Sequence, residues 1–78
     1  MEKTEILKIV GKRIKNLRES KGLSQVYLVG KMQGEIDTTN ISRIESGRTN
    51  PTVYTLFRIA EALEVNPKEL LDVETSTD

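Results

Sequence analysis

The chain has 78 residues, 36% hydrophobic and 31% charged, and its twelve Lys or Arg residues balance its twelve Asp or Glu residues. This composition is typical of one small globular domain, not of a disordered or membrane-spanning chain. Cysteine and histidine are absent, which excludes disulfides, thiolate or imidazole metal sites and the usual nucleophile–base pairs of enzymes. We therefore expect no metal, no cofactor and no catalytic activity.

The charge is unevenly distributed along the chain. Residues 1–50 carry ten Lys or Arg against six Asp or Glu, and residues 51–78 carry two against six. A basic amino-terminal part favours a nucleic-acid partner, although short helical proteins also segregate charge by chance. Met1 leads into charged residues without an apolar signal or membrane-spanning run. We therefore expect a cytoplasmic protein with no membrane partner and no small-molecule ligand.

The first predicted helix runs from about Thr4, as N-cap, to Ser20. Its inward positions recur at helical spacing: Ile6, Val10, Ile14 and Leu17. Gly11 is interpreted as a weak spot that costs ~1 kcal/mol relative to alanine. In an alternative prediction the helix starts near Gly11, and residues 1–10 form an extension to a domain at residues 11–72. Gly22 closes the helix in a left-handed conformation.

Two short helices follow. Ser24 is the predicted N-cap of a helix from Gln25 to Met32 or Gln33, and Asp37 is the N-cap of a third helix from Thr38 to about Ser46. The second helix should bury Leu28, Val29 and Met32 and leave Val26 and Tyr27 outside. The turn between these helices is predicted at Gln33, Gly34 and Glu35, and Gly47 ends the third helix.

The carboxyl-terminal part predicts two more helices, which makes five in an all-α fold. Thr52 caps a helix from Val53 to Leu63, with an inward stripe of Val53, Leu56, Ile59, Ala60 and Leu63. Asn66, Pro67 and Glu69 form a start signal for a short fifth helix. Residues 73–78 are predicted to be a flexible acidic tail.

The third helix has the chemistry of a DNA-reading helix. Ile41 and Ile44 share its apolar side, and its other side carries short polar or basic residues. A threonine can offer a hydroxyl to a base edge and a methyl to thymine, and Arg43 suits bidentate contact with guanine. In a simpler interpretation the threonines are ordinary first-turn residues and Arg43 is a solvated surface cation.

Several separated motifs together resemble the lambda-repressor-like (Cro/Xre) helix-turn-helix family. They are Gly22-Leu23-Ser24-Gln25, Ile41-Ser42-Arg43-Ile44-Glu45-Ser46-Gly47-Arg48, Asn50-Pro51-Thr52 and Ile59-Ala60-Glu61-Ala62-Leu63-Glu64-Val65. The similarity spans about Gly11 to Leu71. It implies a compact five-helix domain that binds double-stranded operator DNA, usually as a symmetric dimer, and regulates transcription.

The resemblance also implies roles for individual residues. The expected base contacts are Thr38, Thr39, Ser42 and Arg43. The expected phosphate contacts are Ser24, Gln25, Asn40, Ser46, Arg48, Asn50 and Thr52. Arg18 and Glu45 should form a partly buried structural ion pair. We assign the expected homodimer interface to Tyr54, Phe57 and Leu70.

Two features depart from the family pattern. The segment from Leu28 to Ile36 is longer than usual, and Val29 and Gly30 replace a small residue and a polar helix former. The first departure leaves open the angle at which the third helix meets DNA. The size suits a phage-type repressor, a restriction–modification controller or another stand-alone regulator. The zero net charge and the exposed apolar residues leave open an alternative function: a protein-interaction module (an antitoxin, anti-repressor or adaptor) with secondary DNA binding.

Overall fold

The computed structural model describes residues 1–34 and 36–75, and every regular element in these residues is helical. Four α-helices follow one another: α1 (Lys3–Ser20), α2 (Gln25–Lys31), α3 (Thr38–Glu45) and α4 (Val53–Leu63). The expectation of an all-α fold is thus confirmed. No helix in the described part of the chain is long and apolar enough to cross a membrane. The predictions for Glu35 and for residues 76–78 lie outside the described residues.

The predicted fifth α-helix is wrong in type. Pro67–Leu71 forms a 3-10 helix that begins with the expected capping box of Asn66 and Glu69. The Asp72 amide bonds back to the carbonyl of Glu69, only three residues earlier. A run of five residues favours this tighter hydrogen-bonding pattern, because it is too short to complete several α-helical turns.

Most helix starts follow the predicted caps. The three confirmed caps are Ser24, which accepts from the Tyr27 amide at 3.0 Å, Asp37, which accepts from Asn40 at 2.8 Å, and Thr52, which accepts from Thr55 at 3.0 Å. Helix α1 begins at Lys3, so the start near Gly11 is wrong. Its N-cap is Glu2, which makes no side-chain capping bond, so the assignment of Thr4 as N-cap is also wrong.

The core is formed where all the helices meet. Its buried apolar residues are Ile14, Leu28, Met32, Ile41, Ile44, Ile59, Ala60, Ala62, Leu63 and Leu70. Two residues assigned to inward stripes are exposed instead, Ile6 by 45% and Val53 by 70%. Both lie in the first turn of a helix, where the periodic stripe extends beyond the neighbours that could cover it. Val26 and Tyr27 are exposed, as predicted.

Gly11 marks a close crossing between α1 and α3. It is buried, and a Cβ atom at this position would lie 2.7 Å from the Glu45 carbonyl oxygen and would also overlap the carbonyl oxygen of Ile44. The interpretation of Gly11 as a mere weak spot is therefore wrong. Its missing side chain allows the two helix backbones to come together.

The long segment between α2 and α3 adds to the turn and not to the helix. Helix α2 ends at Lys31, and Gln33 and Gly34 both have positive φ angles, 55° and 79°. Gly34 supports the change of direction, as the sequence predicts. The left-handed Gln33 was not predicted, because a non-glycine residue carries no strong signal for this conformation.

Candidate nucleic-acid interface

Helix α3 divides its residues between the core and the solvent. Ile41 and Ile44 are buried, while Thr39, Ser42 and Arg43 are exposed. Residues three or four apart share a face of an α-helix, so the two isoleucines fix the helix and turn its polar residues outward. The Asp37 cap fixes the first turn of the same helix.

The exposed side of α3 forms part of one shallow, open surface, called here the α3 surface. It is lined by Gln25, Thr38, Thr39, Ser42, Arg43 and Arg48. None of these side chains is acidic. Arg43 and Arg48 form no ion pair within residues 1–34 and 36–75, so both guanidinium charges are available to an anionic partner.

A partly buried hydrogen-bond network supports this surface from behind. Arg18 Nε donates to Glu45 Oε2 at 2.7 Å, and Arg18 Nη2 donates to Oε1 at 3.0 Å. A third donor, Arg18 Nη1, bonds to the carbonyl oxygen of Leu23 at 2.6 Å, and Gln25 Nε2 donates to Glu45 Oε1 at 3.0 Å. The network therefore joins α1, the start of α2 and the end of α3.

The Glu45 carboxylate also affects the titration of Arg18. Its hydrogen bond, aided by its charge and by that of Glu19, raises the pKa of Arg18 above the ordinary value, although burial acts in the opposite direction. A raised pKa of a cation contributes stability below the unfolded-state pKa and loses it only as the pH rises through the folded-state pKa. The contribution of Arg18 is therefore constant throughout the neutral pH range.

The carboxyl end of α3 fixes the backbone of Arg48. The Gly47 amide donates to the carbonyl of Ile44 at 3.1 Å, and the Arg48 amide donates to the carbonyl of Arg43 at 2.8 Å. This pair of bonds is a Schellman closure, and it uses the left-handed Gly47, whose φ angle is 79°. Arg48 consequently begins the next loop from a defined position.

The other predicted phosphate contacts lie around the α3 surface or away from it. Asn40, Asn50 and Thr52 line a second, separate pocket together with Met32 and Ile36. The structure therefore does not bring these three polar residues into the α3 surface. The Ser24 hydroxyl caps α2, and the Ser46 hydroxyl donates to the Arg43 carbonyl at 3.2 Å; both serines are exposed.

The predicted dimer residues divide among three environments. Leu70 is fully buried, so its assignment to a dimer surface is wrong; the next residue, Leu71, is 57% exposed. Phe57 lies in an apolar surface, called here the α4 patch, lined by Val53, Leu56, Phe57, Pro67, Lys68 and Leu71. Tyr54 lines the second pocket and accepts a hydrogen bond from Arg58 Nη1 at 3.1 Å.

Val53 and Leu71 were not predicted to belong to the α4 patch. The spacing of Val53 and Phe57, four residues apart on one helix, was an available signal. Leu71 carried no such signal, because which of the two adjacent leucines is exposed depends on the geometry of the 3-10 helix.

Comparisons with known proteins agree with this geometry. The sequence model of the helix-turn-helix family matches residues 14–70. The chain is 38% identical over 74 residues to the uncharacterised HTH-type transcriptional regulator y4dJ of Sinorhizobium fredii, with coverage of 95% of this chain and 90% of that protein. The chain therefore belongs to the helix-turn-helix family, and it is a DNA-binding transcriptional regulator.

Two solved structures share the fold and a substantial part of the sequence. The restriction-modification controller protein C.AhdI from Aeromonas hydrophila is 33% identical, with a TM-score of 0.77 over 82% of this chain and 94% of that chain. The restriction-modification controller protein C.Esp1396I, solved as a tetramer with its natural 35-base-pair operator, is 35% identical. Its TM-score is 0.72 over 86% of this chain and 96% of that chain.

Proposed function

We propose that the protein binds an operator with two half-sites as a homodimer, and that α3 reads base edges in the major groove of each half-site. The observation that carries this proposal is the α3 surface, where four side chains suited to base contact lie together and no lining residue is acidic. A protein helix fits the major groove of B-DNA, where each base pair presents a distinct pattern of donors and acceptors. The proposed role involves no catalytic step.

The proposed base contacts are Thr38, Thr39, Ser42 and Arg43. Arg43 can donate two hydrogen bonds to guanine, a contact that contributes about 1–3 kcal/mol of discrimination against other bases. The threonines can place a methyl group against thymine or a hydroxyl on a base edge. The short side chains at the start of α3 support the proposal, because they allow the helix backbone to approach the groove closely.

The proposed phosphate contacts flank α3. Arg48 has no ion-pair partner among the described residues. The hydrogen bonds at the carboxyl end of α3 hold its backbone and so fix the position from which its side chain extends. Gln25 gives one amide hydrogen to Glu45, which leaves its second amide hydrogen for a phosphate. Ser24, directly before Gln25, and Ser46, two residues before Arg48, are further proposed phosphate contacts. Asn40, Asn50 and Thr52 line the second pocket, and we propose that they contact DNA phosphates further from α3.

The α4 patch is the proposed homodimer interface. Val53, Phe57 and Leu71 expose 70%, 53% and 57% of their surfaces, and Leu56 and Pro67 extend the same apolar surface. A symmetric dimer brings the same patch of both subunits together and can set two recognition helices about 34 Å apart, one turn of DNA. The solved tetramer of C.Esp1396I on its operator supports such an assembly for this chain. Tyr54, beside Val53, is proposed at the edge of the interface.

In vitro selection with the purified protein and a random duplex library tests this proposal. We expect enrichment of a two-fold symmetric sequence whose half-sites are centred about one helical turn apart. A single asymmetric half-site would contradict the dimer, and a library without enrichment would contradict base readout. In the same selection, Arg43→Ala should lose the base preference at one position in each half-site and keep the base preferences at the other positions.

A further inference from the structure

The amino-terminal half of α1 lies directly against the end of α3. A Cβ atom on Gly47 would lie 2.7 Å from Lys8 Cγ, 2.8 Å from Lys8 Cα and 2.9 Å from Lys8 N. Such short distances mean that the Lys8 backbone and stem rest on the Gly47 backbone with no side chain between them. Lys8 precedes residue 14, where the match to the helix-turn-helix family begins.

Gly47 stands between two of the proposed phosphate contacts, Ser46 and Arg48. Both residues are exposed, and the backbone of Arg48 is held by its bond to the Arg43 carbonyl. A phosphate that lies against Ser46 or Arg48 is therefore near the start of the Lys8 side chain. The ammonium group of lysine is carried on a flexible four-carbon stem, which gives it the reach to follow such a phosphate.

The Lys8 charge is also uncommitted. In the part of the chain that the structure describes, Arg13, Arg18, Lys31 and Arg58 form ion pairs with carboxylates, whereas Lys8 forms none. Its side chain is exposed. The contact with Gly47 fixes the first carbons of the Lys8 side chain and leaves the charge of its ammonium group unneutralised. Helix α1 therefore places a cation next to the end of α3.

We propose that Lys8 is a further DNA-phosphate contact, which acts on the same backbone segment as Ser46 and Arg48 and extends the interface onto α1. This inference rests on the proposed binding of DNA through α3. It assigns Lys8 a contribution to affinity but none to sequence preference, because a phosphate carries no base identity.

The test measures binding of the full chain to its selected operator and to a random duplex over a series of salt concentrations. Lys8→Gln removes the charge and keeps most of the stem that packs on Gly47. The proposed dimer would lose one phosphate contact in each subunit. We therefore expect roughly 25-fold weaker binding to both duplexes near physiological salt, and a salt slope reduced by about 1.8, about 0.9 for each contact. Lys8→Arg should restore parental binding.

Lys3→Gln is the matched control, because Lys3 is an exposed lysine of the same helix that forms no ion pair with another described residue. Lys3 precedes Lys8 by five residues and so lies on a different face of α1. We expect Lys3→Gln to keep the parental affinity and salt slope. If Lys8→Gln keeps the parental affinity and salt slope while Arg48→Gln has a reduced salt slope, the proposed Lys8 contact is wrong and the proposed binding through α3 stands. A parent chain that binds no duplex would overturn the proposed function and this inference together. Thermal melting of each variant shows that the fold is retained.

Discussion

At the scale of single residues, the environment of each charge determines its contribution. Arg18 and Glu45 are each 7% exposed, and Arg18 donates two hydrogen bonds to the Glu45 carboxylate. Neither charge can therefore be solvated if its partner is removed. Lys31 and Glu64 also form an ion pair, at 3.1 Å, but the Glu64 side chain is 77% exposed. Water can replace the partner in the second pair and not in the first.

Glu45→Gln should therefore destabilise the protein strongly. Removal of one partner of a buried ion pair costs about 3–5 kcal/mol, because the other charge remains buried and unpaired. Urea denaturation followed by circular dichroism measures this difference. Glu64→Gln is the matched control, with an expected loss of about 0–1 kcal/mol. Equal losses for the two variants would contradict the structural role of the Arg18–Glu45 pair.

At the scale of elements, the two helical glycines of the chain illustrate opposite situations. Gly11 faces the carbonyl oxygens at the end of α3, whereas a Cβ atom on Gly30 in α2 would meet no atom within 4 Å. Both glycines cost helix stability through their conformational freedom. Only Gly11 compensates for that cost, since it allows α1 and α3 to cross at close range.

The same substitution at these two sites should consequently have effects of opposite sign. Gly30→Ala is expected to stabilise the protein by about 0.5–1 kcal/mol, the difference in helix propensity. Gly11→Ala should destabilise it by more than ~1 kcal/mol, because overpacking forces the backbones apart. Both changes can be read from denaturation midpoints. Stabilisation by Gly11→Ala would show that the crossing of α1 and α3 is not tightly packed.

The elements that the sequence predicted well are those with local chemical signals. Ser24, Asp37 and Thr52 each combine an N-cap side chain with a following apolar period, so α2, α3 and α4 start where expected. Leu70 and Leu71 lack such a signal. Which of two adjacent leucines is buried depends on the rotation of the 3-10 helix, and that rotation is set by tertiary packing.

The candidate site was predictable to a similar extent. The spacing of Ile41 and Ile44 determines which side of α3 faces outward, and the structure gathers Thr38, Thr39, Ser42 and Arg43 on that side. The contact of Lys8 with Gly47 was not predictable. It depends on the crossing of α1 over α3, which joins residues far apart in the chain, and it carries no local pattern.

At the scale of the whole molecule, the α3 surface and the α4 patch are built from different elements. The α3 surface combines residues of α2, α3 and the following loop, whereas the α4 patch combines α4 with the 3-10 helix. This separation allows one molecule to contact DNA and a second copy at the same time. Association through the patch would then double the number of base and phosphate contacts per complex.

Phe57→Glu should therefore weaken self-association without unfolding the chain. An aromatic residue at the centre of an interface is often a binding hot spot, and its loss is expected to raise the dimer dissociation constant by at least roughly tenfold. Sedimentation equilibrium at micromolar concentrations measures this change. Tyr27→Glu, at an exposed aromatic residue on α2, is the control and should associate like the parent. Unchanged association of Phe57→Glu would place the interface elsewhere.

The proposed base readout by α3 can be measured as the ratio of operator affinity to random-duplex affinity. This ratio should be measured at one salt concentration for the parent, Arg43→Ala and Arg48→Ala. We expect Arg43→Ala to lower the ratio by about tenfold or more, since a bidentate guanine contact contributes about 1–3 kcal/mol. Arg48→Ala should weaken both duplexes equally and leave the ratio unchanged. A parent that binds both duplexes equally, with Arg43→Ala doing the same, would contradict base readout by α3.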